Sequence, residues 1–149
     1  MTQPGYPAAP VATGNPITMV FGLIAGVMII GGGMFLDWVS GTPSKAADTG
    51  FEIFWSVTPL SEPSFFSSAA FVILVIGAIT LLGAALARGG LIVFGGLLAV
   101  LAFVLVMISF YRVQVADLGI GYAGLGLWSI LVGGALAIVA GSMARRTLD

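Results

Sequence analysis

The groups in this 149-residue chain with the chemistry to move a proton or hold a cation are carboxylates. Asp37, Asp48, Glu52 and Glu62 fall in one stretch, residues 37–67, and Asp117 falls in a later linker. Two carboxylates can act as a general acid and base, and several together with backbone oxygens can hold calcium. Neither use has its spacing here. There is no D-x-D-x-D-G loop, and no phosphate loop, dinucleotide fingerprint, nucleophile elbow or H-E-x-x-H helix where its chemistry would need it. The chain has no histidine and no cysteine, which excludes disulfides, thiol catalysis, imidazole-held metals and iron–sulfur clusters. The carboxylates read as a solvated loop surface, with Asp37 or Asp117 paired to Arg112. No catalytic residue, metal site or cofactor is expected.

Composition sets the elements that must position such a loop. Hydrophobic residues make up 59% of the chain and charged residues 7%, with 22 glycines. A small soluble domain keeps much of its area in water, so a chain this apolar would expose large greasy patches unless lipid were its solvent. The expectation is an integral membrane protein with the lipid bilayer as its first partner. A net charge of −1, with five basic residues spread over the chain, provides no phosphate-tracking stripe, so nucleic acid is not an expected partner.

Residues 1–16 hold four prolines among Gly, Ala, Thr and Gln and read as a disordered tail. Residues 17–36 are uncharged and, at about 1.5 Å per residue, long enough to cross a hydrocarbon core about 30 Å thick. A cleavable signal peptide would need a basic start and a small-residue cleavage site, and this stretch has neither. Residues 68–87 and 91–111 are the next two uncharged runs, joined by a short basic link that makes them an antiparallel hairpin. The last span is 122–144, stopped by Arg145 and Arg146. The fold class expected is therefore an all-α membrane protein, a four-transmembrane-helix antiparallel bundle. It comprises one membrane domain over 17–146, with a long outer loop at 37–67 and a short tail at 147–149. Arg88, Arg145 and Arg146 fall on one side and Lys45 and Arg112 on the other, which places both termini in the cytoplasm of a plasma-membrane protein by the positive-inside rule.

The spans contain no ionisable residue between their ends and no proline break, so a proton-coupled pump is disfavoured. Thr18, Thr80, Ser109, Ser129 and Ser142 are expected to bond to backbone carbonyls or a neighbouring helix. Gly22 with Gly26, Gly95 with Ala99, and Gly133 with Ala137 and Gly141 form small-residue ridges that let helix backbones approach closely. They are expected to pack within the bundle, the alternative being a seam for a partner's helix. Gly31 to Gly33 receive no role.

In the outer loop, Trp38 and Phe65–Phe66 flank spans and are expected in the interfacial aromatic belt. Phe51, Ile53, Trp55 and Val57 alternate with Glu52, Phe54, Ser56 and Thr58, the period of a half-buried strand; a short interfacial helix is the alternative. Trp38, Phe51, Glu52, Phe54 and Trp55 are the candidate partner-contact residues.

The order of features resembles small four-helix membrane proteins common in actinobacterial genomes, most of them without an assigned function. The matching residues are Asp37–Trp38–Val39–Ser40, then Thr49–Gly50–Phe51–Glu52, then Gly124, Gly126, Trp128, Gly133 and Gly134. The resemblance covers most of the chain and implies topology, not activity. The long first loop also resembles that of claudin-like proteins, whose paired loop cysteines this chain lacks. The function expected is that of a non-catalytic accessory or scaffold subunit. It would bind a membrane or envelope partner, or a second copy of itself, through the outer loop or a glycine-rich helix face. The alternative is a small oligomeric transporter, channel or lipid-handling protein.

Overall fold

A computed structural model describes residues 15–41, 44–55, 63–112 and 123–146. These residues form four long helices and no strand: α1 (Pro16–Phe35), α2 (Ala69–Ala85), α3 (Gly89–Arg112) and α4 (Leu125–Arg146). The helices lie close to the four expected spans. Three of them, α1, α3 and α4, are long and apolar enough to cross a membrane, and α2 is shorter at 17 residues. The proline-rich segment before Asn15, Glu62, Asp117 and residues 147–149 lie outside the described residues.

Local chemistry explains where the helices start and stop. The Asn15 side chain accepts a hydrogen bond from the Ile17 N–H at 3.0 Å, and Pro16 takes the first helical position, where its missing N–H costs nothing. At the end of α2, the Arg88 N–H bonds to the Gly83 carbonyl at 2.8 Å and the Ala87 N–H to the Ala84 carbonyl at 3.1 Å. This is a Schellman cap, and Ala87 holds the left-handed position (φ 51°) that glycine usually fills. Arg88 then accepts from Leu91 and Ile92, so α3 begins with almost no connecting loop.

The four helices form a ring in which each packs on the two beside it, α1 on α2 and α4, and α3 on α2 and α4. Close approaches fix every neighbouring pair as antiparallel. Gly22 lies on Ala84 and Gly26 on Leu81; Gly95 lies on Thr80; Gly89 lies on Gly141 and Gly96 on Gly134; Gly133 lies on Ala25 and Ile29. In α3 the buried positions Ile92, Gly95, Ala99, Ala102, Val106 and Ser109 recur every three or four residues, with Gly96 beside Gly95, as a helix buried along one face requires. The inner face is thus made largely of small residues. The outer face carries exposed Ile24, Val27, Phe94, Leu97, Leu101, Val104 and Val139. A soluble bundle places its large apolar side chains inside; this one places many of them outside.

α1 is not uniform. Its residues Met28–Gly32 form a π-turn between α-helical Pro16–Val27 and Gly33–Phe35. Ser129 of α4 donates a hydrogen bond to the Met28 carbonyl at 2.8 Å, and Gly32 lies directly against the Ser129 side chain. Gly33 faces Ile73 and Ile130, while Gly31 faces open space. The glycine triplet therefore divides its work: two members admit neighbouring helices and one points away. Thr80 and Ser142 donate to the carbonyls four residues earlier, at 3.1 and 2.7 Å. The buried Thr18 hydroxyl has no hydrogen-bond partner among the described residues, unlike the expectation for it.

Two substitutions separate close packing from helix propensity. A Cβ at Gly96 would lie 2.6 Å from the Gly134 carbonyl oxygen, so Gly96→Ala must push α3 off α4 and is expected to cost about 1–3 kcal/mol. Gly31→Ala meets nothing within 4 Å and is expected to leave stability unchanged or raise it by up to about 1 kcal/mol. Thermal unfolding of both variants in detergent checks the contrast. In the same assay Ala87→Gly, which relieves the left-handed strain, is expected to raise stability by about 1 kcal/mol.

Candidate functional site: a cap over one end of the bundle

The segment between α1 and α2 closes the end of the bundle where α1 stops and α4 starts. α1 ends at Phe35, and like any helix it leaves its last carbonyls without intrahelical partners. The chain turns at Leu36, which is extended, and brings Trp38 back under its own helix. There the indole Nε1–H donates to the Gly33 carbonyl at 2.6 Å, and the ring is 1% exposed. The backbone of the same turn serves the neighbouring helix. The Gly124 N–H donates to the Trp38 carbonyl at 2.8 Å and the Gly126 N–H to the Asp37 carbonyl at 2.9 Å, so Asp37 and Trp38 cap the amino end of α4. Val39 and Ala123 form an isolated antiparallel bridge alongside.

Glycine at 124 and 126 follows from this contact. A Cβ at Gly126 would meet the Leu36 carbonyl oxygen at 2.6 Å and the Trp38 ring at 2.8 Å, and one at Gly124 would overlap the Asp37 carbonyl. Ser44 holds the turn from the other side. Its carbonyl accepts from the Trp38 N–H at 2.7 Å, its hydroxyl oxygen accepts from the Val39 N–H at 3.0 Å, and its own N–H donates to Asp37 Oδ1 at 3.2 Å. Gly41 takes a positive φ of 79° within this turn.

The second half of the cap serves α2. Residues Ala46–Asp48 and Phe51–Phe54 form short 3-10 turns, and the Ala69 N–H at the start of α2 donates to the Thr49 carbonyl at 2.7 Å. Gly50 bridges Ser68. Ala46 and Phe54 are buried, and Phe54 meets Trp38 edge to face at a centroid distance of 6.5 Å. The core therefore runs without a break from Ile29, Ile73 and Ile130 between the helices into Trp38, Ala46 and Phe54.

This arrangement revises several expectations. Trp38 is interior and not at an aromatic belt, because the freed Gly33 carbonyl draws its N–H inward. Phe54 is 8% exposed and points into the cap, so neither residue is presented to a partner. The alternating stretch is a 3-10 turn over its described part, not a strand. The Ile53 N–H bonds back to Gly50 and the Trp55 N–H to Glu52, bringing the Phe51 and Trp55 rings to 5.2 Å. Asp37 accepts a bond from the Ser44 N–H, while the other members of its expected ion pairing, the Arg112 side chain and Asp117, lie outside what the structure describes. Of the five contact candidates, Phe51 and Glu52 are half-buried and Trp55 is 59% exposed. Gly22, Gly26, Gly95, Ala99, Gly133, Ala137 and Gly141 all lie on buried faces between this chain's own helices. Phe65, Phe66 and Phe71 gather at the same end in mutual edge-to-face contacts with centroids 5.4–6.0 Å apart, and Phe66 is the most exposed of them.

Sequence reasoning missed Ser44 and Ala46, and named Thr49 only as part of a short motif without a role. The usable signal was the turn residue Gly41 between two groups able to bond each other, Asp37 and Ser44. Among the described residues no three His, Cys, Asp or Glu side chains gather closely enough to hold a metal ion. What the cap does offer is an open groove of about 450 Å³ beside the Asp37 turn, whose lining includes apolar Phe35, Leu36 and Leu125 and polar Asp37, Ser40 and Lys45.

Trp38→Phe keeps most of the ring volume but removes the indole N–H, leaving the Gly33 carbonyl buried and unpaired. It is expected to cost about 1–3 kcal/mol, seen as a lower unfolding midpoint without loss of helical circular dichroism. No family model, curated relative or solved structure matches the chain.

Proposed function

We propose that this chain is a non-catalytic integral membrane protein of the plasma membrane, with both termini cytoplasmic. On this reading it is an accessory or scaffold subunit that engages a membrane or envelope partner through the exposed side of its cap. The observation that carries the membrane part is the inverted sorting of side chains. Large apolar residues cover the outside of the ring, and glycine, alanine, serine and threonine line its contacts. Lipid provides no hydrophobic drive to pull helices together, so bundles in it rely on close backbone approach and hydrogen bonds between helices. The Ser129–Met28 bond and the Gly96–Gly134 contact are of those two kinds. The exposed Phe65–Phe66 pair beside the short α2 fits an interfacial position.

The partner part rests on elimination within the fold. The glycine faces already meet this chain's own helices, which leaves no small-residue ridge among those named to receive a foreign helix. The cap instead presents Trp55, with Phe51 and Glu52 beside it. The close interior contacts also favour a non-conducting subunit over a transporter or channel.

Because the chain has no cysteine, single introduced thiols report topology cleanly. Ala47→Cys in the cap is expected to react with a membrane-impermeant maleimide in intact cells, and Gly90→Cys at the exposed start of α3 only after permeabilisation. The reverse pattern would invert the orientation, and equal labelling of both before lysis would remove the membrane reading. For the partner, a photocrosslinking amino acid at position 55 is expected to yield one discrete heavier species in native membranes. Absence of any such species at positions 51, 52 and 55 would sink the scaffold reading.

A further inference from the structure

The groove beside the Asp37 turn has a mixed lining. Its large apolar members include Phe35, Leu36 and Leu125, exposed at 68, 42 and 73%, where α1 ends and α4 begins. Its polar members include a carboxylate, Asp37, an ammonium, Lys45, and the Ser40 hydroxyl. Both charged side chains are exposed, and Ser44 uses only one of the roughly four acceptor directions of the Asp37 carboxylate. The Asp48 N–H and the Thr49 hydroxyl both donate to the Lys45 backbone carbonyl, so the bonds that hold the 3-10 turn do not involve the Lys45 side chain. The lining draws on the carboxyl end of α1, the amino end of α4 and the Asp37 turn, so the groove lies where the helix ends meet the cap.

We propose that this groove binds the headgroup of one zwitterionic phospholipid. Lys45 and the Ser40 hydroxyl take the phosphate, Asp37 takes the ammonium, and the acyl chains run down past Phe35, Leu36 and Leu125. The inference rests on the reading that α1 and α4 span the bilayer. Charge complementarity selects the ligand: an anionic lipid would satisfy Lys45 with its phosphate but bring no ammonium to Asp37, leaving that carboxylate beside an unbalanced negative headgroup. A free polar solute would leave three exposed apolar side chains in water. A volume of about 450 Å³ lies within the range of small-ligand clefts.

The test is native mass spectrometry of the full chain in a mild detergent, titrated separately with phosphatidylethanolamine, phosphatidylglycerol and the chain-free headgroup glycerophosphoethanolamine. The expected result is a single phosphatidylethanolamine adduct formed at roughly tenfold lower concentration than the phosphatidylglycerol adduct, with Asp37→Asn and Lys45→Gln each weakening it about five- to tenfold. Asp37→Asn keeps an acceptor for Ser44, and Lys45→Gln leaves the backbone bonds in place. An unchanged unfolding midpoint shows that each variant is folded. If phosphatidylglycerol binds as well as phosphatidylethanolamine, the site reads phosphate alone and the proposal is overturned. If the chain-free headgroup binds as tightly as the lipid, the occupant is a soluble molecule and the proposal again fails. Flotation of the protein with liposomes separates the two levels. A chain that does not float defeats the membrane reading, whereas one that floats but shows no selective adduct defeats only the groove.

Discussion

The hydrogen bond from the Trp38 indole to the Gly33 carbonyl organises the capped end of the molecule. A helix that stops inside an apolar environment leaves carbonyls that no water can serve, and each such group costs on the order of 1–3 kcal/mol. By folding back to meet one of them, Trp38 fixes the direction in which the chain leaves α1. That direction places the Asp37 and Trp38 carbonyls over the first N–H groups of α4, which have the opposite deficiency. One residue thus satisfies the end of one helix and the beginning of another. The cap core, with Ala46 and Phe54, condenses around its ring.

The remainder of the bundle follows from an apolar exterior. With large side chains directed outward, affinity between helices must come from contact distance, and contact distance is set by the smallest residues. The Gly89–Gly141 and Gly96–Gly134 approaches join α3 to α4, and Gly22 with Gly26 sets α1 on α2. The two buried clusters reflect this division. One consists mostly of alanine and isoleucine at the uncapped end, and the larger one runs into the cap around Trp38.

The helices were legible in the sequence because uncharged length is a coarse signal that short-range detail does not disturb. Antiparallel pairing of α2 and α3 was legible from the brevity of their link, and the buried faces from the spacing of Gly95, Ala99, Gly133 and Ala137. The cap was not, and the reason is physical. Its bonds run between backbone groups of segments distant along the chain, and backbone groups carry no residue identity. Trp38 at the end of a span looks the same whether its ring lies at a bilayer surface or under a helix; only the position of the Gly33 carbonyl decides. Phe51 to Val57 satisfies a two-residue period, but Phe51, Phe54 and Trp55 also satisfy a helical one, and the pull of Phe54 toward Trp38 selects the latter. Gly124 and Gly126 were visible as a pattern, yet their purpose becomes plain only once the Asp37 turn lies against them.

The α4 capping bonds carry a consequence for the order of assembly. The donors at Gly124 and Gly126 are made long after their acceptors at Asp37 and Trp38, with the whole α2–α3 hairpin synthesised in between. The tight turn at Ala87 lets that hairpin form from local sequence alone, whereas the amino end of α4 has to find a surface already waiting on α1. In the folded chain the Asp37 and Trp38 carbonyls receive those two donors, so the first and last helices close the ring through backbone bonds between segments far apart in the sequence.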